Sequence, residues 1–206
     1  GQVDKEHYWL PRLAPHLPLA IPAPLAKGSP GAGYPWPWAV NSWLEGENAT
    51  LDRLAGRFQA ARDLAGFILA LHRIDTTGGP QPGRHNFGRG VPLADRDDYT
   101  RAAIASSEGL VDTAAVLAVW EMLVSAPVWD GPPVWLHGDL QSGNLLATNG
   151  RLSAVIDFGA LAIGDPACDY QVAWNLFDAE SRMVFREALQ VDDASWTRGC
   201  GWALSV

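Results

Sequence analysis

Apolar residues recur at helical spacing in several segments of the chain. In the segment from Lys5 to Leu17, Trp9, Leu10 and Leu13 fall on one side, which predicts a short helix. The longer segment from Leu51 to Ile74 has a wide apolar face and predicts the main helix of the protein. Further helices are expected near Asp95–Ser107, near Asp112–Ser125, from Pro166 to about Phe177, and over Ala179–Leu189.

Short apolar runs bounded by proline, glycine and polar residues predict strands. The chain has five such runs: Ile21–Lys27, Trp38–Leu44, Val134–Leu136, Leu145–Ala147 and Leu152–Ile156. The turn-rich sequence GSPGAGYP joins the first two, and KGSPGAG matches neither GxxxxGK[ST] nor GxGxxG, so a hairpin turn is preferred to a phosphate loop. The segment from Glu45 to Thr50 is interpreted as a linker followed by a helix start.

The order of these elements predicts an α+β fold. Residues 1–45, which hold eight of the 15 prolines, are interpreted as a partial, small N-terminal lobe. Residues 46–206 are interpreted as a mainly helical C-terminal lobe, in which small β-hairpins carry polar loops. With 206 residues, 48% of them hydrophobic and 18% charged, the chain can bury a core, and most of its ten tryptophans are expected to pack there.

Charge and cysteine content exclude some classes of partner. The net charge of −8 argues against nucleic acid, whose phosphates require a basic face, and is weakly compatible with a cationic small substrate. Cys168 and Cys200 lie in no metal-binding pattern; they could form one disulfide, but both are expected to be reduced packing residues. Because the sequence has no membrane-spanning run and no signal-peptide pattern, a cytoplasmic location is expected.

The polar residues most indicative of chemistry lie in two loops. WLHGDLQSGNLL places Asp139 and Asn144 in one loop, and VIDFG places Asp157 at the end of a strand, thirteen residues after Asn144. An amide oxygen and a carboxylate suit Mg²⁺, and a second carboxylate can orient an acceptor hydroxyl and take its proton. This inventory is the one that phosphoryl transfer from ATP requires. A metallophosphatase is disfavoured, since the accompanying DxH and GNH motifs are absent.

HGDLQSGN and IDFG resemble the motifs of the aminoglycoside phosphotransferase (choline kinase-like) family, whose fold is protein kinase-like. VDKEHYWLPRLAPHL, WAVNSWLEGE and IGDPACDYQVAWN resemble the same family in the same order, so the resemblance covers nearly the whole chain. It implies that Asp139 is the catalytic base, that Asn144 and Asp157 hold Mg²⁺, and that His137 shapes the loop without acting as a base.

The resemblance also implies roles for residues outside the two motifs. Ser42 and Leu44 would offer backbone contacts to the adenine of ATP, and Glu6 would be the helix glutamate that pairs with the ATP-binding lysine. Asp165 and Asp169 would brace the active-site loops or border the substrate cleft, with bracing preferred.

The chain departs from the family at its beginning. The strands that carry the nucleotide-covering loop and the phosphate-binding lysine would precede Glu6, and neither Lys5 nor Lys27 stands at the matching position. The first strands of the N-terminal lobe are therefore expected to be missing from this sequence.

The leading hypothesis is an ATP-dependent kinase that phosphorylates a hydroxyl of a small molecule, with an aminoglycoside as the leading acceptor by resemblance. Choline, homoserine, macrolide and sugar-amine kinases share the architecture and stay open. A non-catalytic kinase-like binding module is the second hypothesis, because the ATP lysine is absent. A protein kinase is disfavoured, because GDPACDY follows Gly159 with little room for an activation loop. Acceptor specificity is expected from the Thr76–Pro92 loop, the helices near Asp95–Ser125 and the C-terminal helices; the oligomeric state is open.

Overall fold

The computed structural model describes residues 1–206 and has the expected α+β architecture. Helix α1 (Gln2–Leu13) opens the chain and packs on a hairpin of β1 (Pro24–Gly28) and β2 (Trp38–Asn41). The GSPGAGYP segment is the connection of that antiparallel hairpin, as the sequence predicted. Trp9 packs edge-on against Trp135 at 4.6 Å between ring centres, which ties α1 to the body of the protein.

A three-stranded antiparallel sheet lies next to this hairpin, in the order β3 (Glu47–Asn48), β5 (Leu145–Thr148) and β6 (Arg151–Val155). The free edge of β6 is extended by Ala20, whose N–H and C=O bond to Ser153 and Val155. A separate pair consists of β4 (Val134–Leu136) and β7 (Ala162–Gly164). These small sheets carry the polar loops at their ends.

The helical part is built around α2 (Arg57–His72), whose apolar face is buried over its whole length. It packs against α6 (Ala179–Leu189), while α7 (Asp193–Leu204) packs against α4 (Thr113–Val124) and against the segment that follows β7. Helix α3 (Asp97–Ser106) lies beside α4. One hydrophobic core joins these helices with Leu10 and Leu13 of α1, so the first 45 residues share the core of the remainder.

Three elements differ from the sequence predictions. Helix α2 begins at Arg57 and not at Leu51, because Ala55 donates its N–H to Gly150 O in the β5–β6 turn and Gly56 breaks the helical backbone. Part of the expected linker forms strand β3, because its backbone pairs with β5. After Pro166 the chain makes a buried 3₁₀ turn (Pro166–Gln171) followed by the short α5 (Val172–Asn175), where one continuous helix was expected.

Neither cysteine forms a disulfide: Cys168 is buried and Cys200 is half-buried. No helix has the length and apolar character that crossing a lipid bilayer would require.

Candidate active site

The β5–β6 hairpin explains why Asn144 and Asp157 come together although thirteen residues separate them. Leu145 pairs with Val155, and the N–H of Ile156 donates to Asn144 O at 2.9 Å. Asn144 therefore lies beside the residue that immediately precedes Asp157. The hairpin delivers both side chains to the same end of the sheet.

Asn144 also fixes Asp139. Its Nδ2 donates to Asp139 O at 2.8 Å and to Asp139 Oδ2 at 3.0 Å. Gln141 Nε2 donates to the same carboxylate oxygen at 3.2 Å. With its amide nitrogen committed to Asp139, Asn144 keeps its amide oxygen as a free acceptor.

Asp157 has a left-handed backbone, with φ of +62°, and its side chain is exposed. Its Oδ1 accepts from the N–H of Gly159 at 3.3 Å. A cavity of about 300 Å³ contains both Asp139 and Asp157, with Gln2, Phe87 and Arg89 on its walls. The two carboxylates thus face one cleft.

The residues present fit a magnesium ion by the type of their donors. The Asn144 amide oxygen and the Asp157 carboxylate are hard oxygen ligands, and Mg²⁺ is commonly held by one or two protein ligands together with substrate phosphates. The protein has no cluster of three or more His, Cys, Asp or Glu side chains that could hold a metal ion.

His137 is fully buried between the two loops. Its Nε2 donates to Ile156 O at 2.9 Å and its Nδ1 accepts from the N–H of Asp139 at 3.2 Å. Burial lowers the pKa of His137 to about 4, so the ring is neutral near pH 7. Its ring packs edge-on to Phe158 at 4.6 Å between centres. Since both nitrogens are engaged, the imidazole holds the two loops in register and has no free nitrogen to act as a base.

Asp169 is hydrogen-bonded to the backbone of the same loop. Its two carboxylate oxygens accept from the N–H of His137 at 2.8 Å and of Gly138 at 2.7 Å, and the residue is fully buried. Burial raises the pKa of Asp169 to about 7, although the two backbone donors act in the opposite direction.

Asp165 makes a buried ion pair with α7. Arg198 Nε and Nη2 lie 2.8 and 3.2 Å from its two oxygens, and Arg198 also donates to Pro127 O and to Ser195 Oγ. Asp165 in addition accepts from the N–H of Ala167. The carboxylates of Asp165 and Asp169 are therefore both bonded to groups of the protein itself, Asp165 to a side chain and Asp169 to backbone N–H groups.

The three residues expected at the nucleotide line neither of the cavities that contain Asp139. Ser42 exchanges two bonds with Ala23, its N–H donating at 2.8 Å and its Oγ accepting at 2.9 Å, so its carbonyl oxygen and its hydroxyl hydrogen are left for a ligand. The N–H of Leu44 makes no hydrogen bond to another backbone group. Glu6 is half-buried and accepts from Gln2 Nε2 at 2.8 Å; burial first, and the charge of Asp157 as well, raise its pKa.

No lysine pairs with Glu6. Lys5 turns away and donates to Gly159 O at 2.8 Å and Leu161 O at 3.0 Å, where it holds α1 against the loop after Asp157. Lys27 pairs with Asp4 at the surface. A larger cavity, of about 950 Å³, lies against α1 beside Lys27 and contains none of the predicted site residues.

Arg89 is the residue that sequence reasoning missed. Its Nη2 lies 3.5 Å from Asp139 Oδ1, and its side chain is only 13% exposed. The buried Asn86 holds the backbone there by donating to Arg89 O at 2.8 Å, and Gly90 O accepts from the N–H of Asp165. Arg89 belongs to the Thr76–Pro92 loop that was expected to govern specificity, but no spacing in the sequence singles it out.

The fold and this arrangement of two loops agree with the family comparison: the model of the phosphotransferase enzyme family (APH) matches residues 1–202, and the chain belongs to that family.

Solved structures of aminoglycoside and macrolide phosphotransferases have the same fold as this chain. An aminoglycoside phosphotransferase APH(2″)-IIIa in complex with GDP and kanamycin is 21% identical, with a TM-score of 0.72, over 98% of this chain and 71% of that one. The macrolide 2′-phosphotransferase MphH of Brachybacterium faecium is 20% identical, with a TM-score of 0.65, over 98% of this chain and 69% of that one. At these identities the likeness concerns the fold alone.

A curated relative is the uncharacterized protein YcbJ of Bacillus subtilis (strain 168). It is 25% identical over 171 residues, which are 79% of this chain and 51% of YcbJ. The chain thus spans about half the length of this relative.

Proposed function

We propose that this protein is a small-molecule kinase that transfers the γ-phosphoryl group of ATP to a hydroxyl. The observation that carries the proposal is the pair of carboxylates, Asp139 and Asp157, that face one cleft; Asn144 bonds to Asp139 and, through its carbonyl, to the residue before Asp157. Membership of the phosphotransferase family supports the reaction type. Among the structural neighbours are complexes with GDP, ADP and ATP, which supports a nucleotide as the donor.

Asp139 accepts the proton of the acceptor hydroxyl while a bond forms between that oxygen and the γ-phosphorus. The bond from this phosphorus to the β–γ bridging oxygen breaks, and the nucleoside diphosphate leaves with the electron pair. Asn144 and Asp157 would hold Mg²⁺, which when bound neutralises phosphate charge. Ser42 O and the backbone of Leu44 would receive the base of the nucleotide.

The test is nucleotide consumption with ATP and, in parallel, GTP in the presence of an acceptor panel. Asp139→Ala is expected to lower turnover about 10²- to 10⁴-fold because the proton acceptor is lost, while nucleotide affinity stays largely unchanged. Asp98→Asn, which removes an exposed charge from α3, is the matched control. Near-normal turnover by Asp139→Ala would remove Asp139 from the role of base.

A second candidate, a kinase-like binding module without turnover, is favoured by the lack of a lysine partner for Glu6. This second candidate predicts that the protein binds nucleotide but does not consume it, whichever acceptor is added.

Aminoglycosides are the leading acceptors by family resemblance, and kanamycin, gentamicin and streptomycin appear in complexes of the structural neighbours. Two other structural neighbours are macrolide 2′-phosphotransferases, whose acceptors are macrolides.

A further inference from the structure

The segment that directly follows the Asp157 turn is tied to helix α1 by one side chain. Lys5 Nζ donates to Gly159 O at 2.8 Å and to Leu161 O at 3.0 Å, across 154 and 156 residues of the chain. Gly159 also donates its N–H to Asp157 Oδ1 at 3.3 Å. Gly159 therefore links the Lys5 ammonium, through its carbonyl, to the Asp157 carboxylate, through its N–H.

The ammonium of Lys5 uses all of its donors within the protein. A lysine carries three N–H donors, and the third reaches His85 Nδ1 at 3.3 Å. His85 Nε2 lies 2.8 Å from Gln81 O, which can only accept, so in the neutral ring Nε2 carries the proton and Nδ1 is the acceptor that Lys5 requires. Because no donor is left over, Lys5 is suited to positioning the loop and not to binding a phosphate of the nucleotide.

A repulsion between two carboxylates acts against this arrangement. Glu6, the next residue of α1, is half-buried, and burial first, and then the charge of Asp157, raise its pKa. The two carboxylates therefore lie close enough to repel each other. The Lys5 bonds hold α1 and the Asp157 turn together against this repulsion. Asn86 Nδ2, at 3.4 Å from Ala160 O, adds only a weak bond to the same segment.

We propose that Lys5 is the positioning residue for the metal ligand Asp157. Its ammonium fixes two carbonyls after the turn to α1, and through Gly159 it sets the orientation of the Asp157 carboxylate. Because the proposed function assigns Asp157 to Mg²⁺, the proposal rests on that function. Loss of the ammonium should loosen the turn and misplace Asp157 while the rest of the fold stays intact.

The first test is amide hydrogen exchange, measured by NMR on the whole chain without ligands. Lys5→Met keeps most of the side-chain length and removes the ammonium. We expect the amides of Gly159 and Leu161 to exchange at least about tenfold faster in this variant, because hydrogen bonds from a charged group are lost. The amides of Val155 and Ile156, which precede the turn and are bonded to backbone carbonyls, should exchange as in the parent protein.

Lys27→Met is the matched control. Lys27 also bonds to α1, through Asp4, but it does so at the surface with its side chain 48% exposed, and it makes no hydrogen bond to Gly159 or Leu161. Equal exchange at these two amides in Lys5→Met and Lys27→Met would overturn the proposal. A uniform increase over all slowly exchanging amides of Lys5→Met would overturn it as well, because such an increase reports a loss of global stability.

A calorimetric titration with ATP separates positioning from direct binding. With Mg²⁺ present, Lys5→Met is expected to bind ATP about 10- to 100-fold more weakly than the parent protein, because residues that orient a metal ligand have effects of this size on metal affinity. In EDTA the two proteins should bind ATP equally. Equal weakening in both media would show that Lys5 contacts the nucleotide itself and would overturn its role as the positioning residue.

Turnover separates this inference from the proposed function. A positioning role predicts that Lys5→Met raises the Mg²⁺ concentration needed for half-maximal rate and leaves KM for the acceptor unchanged. A raised acceptor KM at an unchanged magnesium requirement would overturn the proposal. Selective exchange at Gly159 and Leu161 without any nucleotide consumption by the parent protein would refute the kinase and leave Lys5 as the residue that holds the Asp157 turn.

Discussion

Gly138, between His137 and Asp139, is a position at which one added methyl group should disturb both loops of the site. Its φ of +85° lies in the left-handed region, and a Cβ placed on it would stand 2.6 Å from Ala160 O and 2.9 Å from Ala160 Cβ. Ala160 follows the Asp157 turn. The methyl group of Gly138→Ala would therefore press the two site loops apart.

The cost can be estimated from these contacts. The left-handed backbone costs an alanine roughly 1–2 kcal/mol, and overpacking against a backbone group costs about 1–3 kcal/mol. The reduced freedom of the unfolded chain returns about 0.4–1 kcal/mol. The free energy of unfolding should fall by about 1–5 kcal/mol, which for a chain of this size lowers Tm by roughly 2–18 °C. A shift of about 1 Å between the loops would also lower turnover about 10²-fold.

Gly143 offers a matched control in the same loop. It has no positive φ, and a Cβ there would meet no atom within 4 Å. Gly143→Ala should change stability by no more than about 0.5 kcal/mol. The assay is urea unfolding of both variants and the parent, followed by turnover. If Gly138→Ala unfolds at the same urea midpoint as Gly143→Ala, the backbone at Gly138 does not lie against Ala160 as closely as the structure indicates.

Three further predictions concern the charges around the site. Arg198→Met should lower the free energy of unfolding by about 3–5 kcal/mol, because it leaves the Asp165 carboxylate buried and unpaired; Asp165→Asn in the same background should restore part of the loss, and a double variant no more stable than Arg198→Met would contradict the pairing. Asp169 has a folded-state pKa of about 7 against the ordinary 3.8, so the folded state binds the extra proton and stability should fall by on the order of 4 kcal/mol as pH rises from about 4 to above 7. Asp169→Asn should lack this component, and identical pH profiles of unfolding for the two proteins would rule it out. Asp157→Ala should abolish the enhancement of nucleotide binding by Mg²⁺ in a calorimetric titration, because a carboxylate ligand is lost; an unchanged magnesium dependence would place the ion elsewhere.

The sequence by itself determined the fold class and the family to which the chain belongs. Hydrophobic spacing predicted α2, the β1–β2 hairpin and the strands β4, β5 and β6, because periodicity reports which face of a segment is buried. The spacing of Asp139, Asn144 and Asp157 pointed to phosphoryl transfer, because these side chains lie on consecutive loops of one local hairpin. Their individual roles stay predictions.

Only the tertiary structure decided what surrounds these residues. Strand β3 is two residues long and strand β7 is three. Each forms because a strand distant in the chain pairs with it, so no local sequence pattern predicts either one. Arg89 reaches Asp139 from fifty residues earlier in the chain, and Gln171, from the segment after β7, lines a cavity of about 390 Å³ together with these two residues. The net charge of −8 was weakly compatible with a cationic acceptor, but the acidic side chains around the site have protein partners: Asp165 pairs with Arg198, Asp169 accepts from backbone N–H groups, and Asp139 lies 3.5 Å from Arg89. The charge of a cavity depends on which side chains packing leaves free, and the composition of a chain does not contain that information.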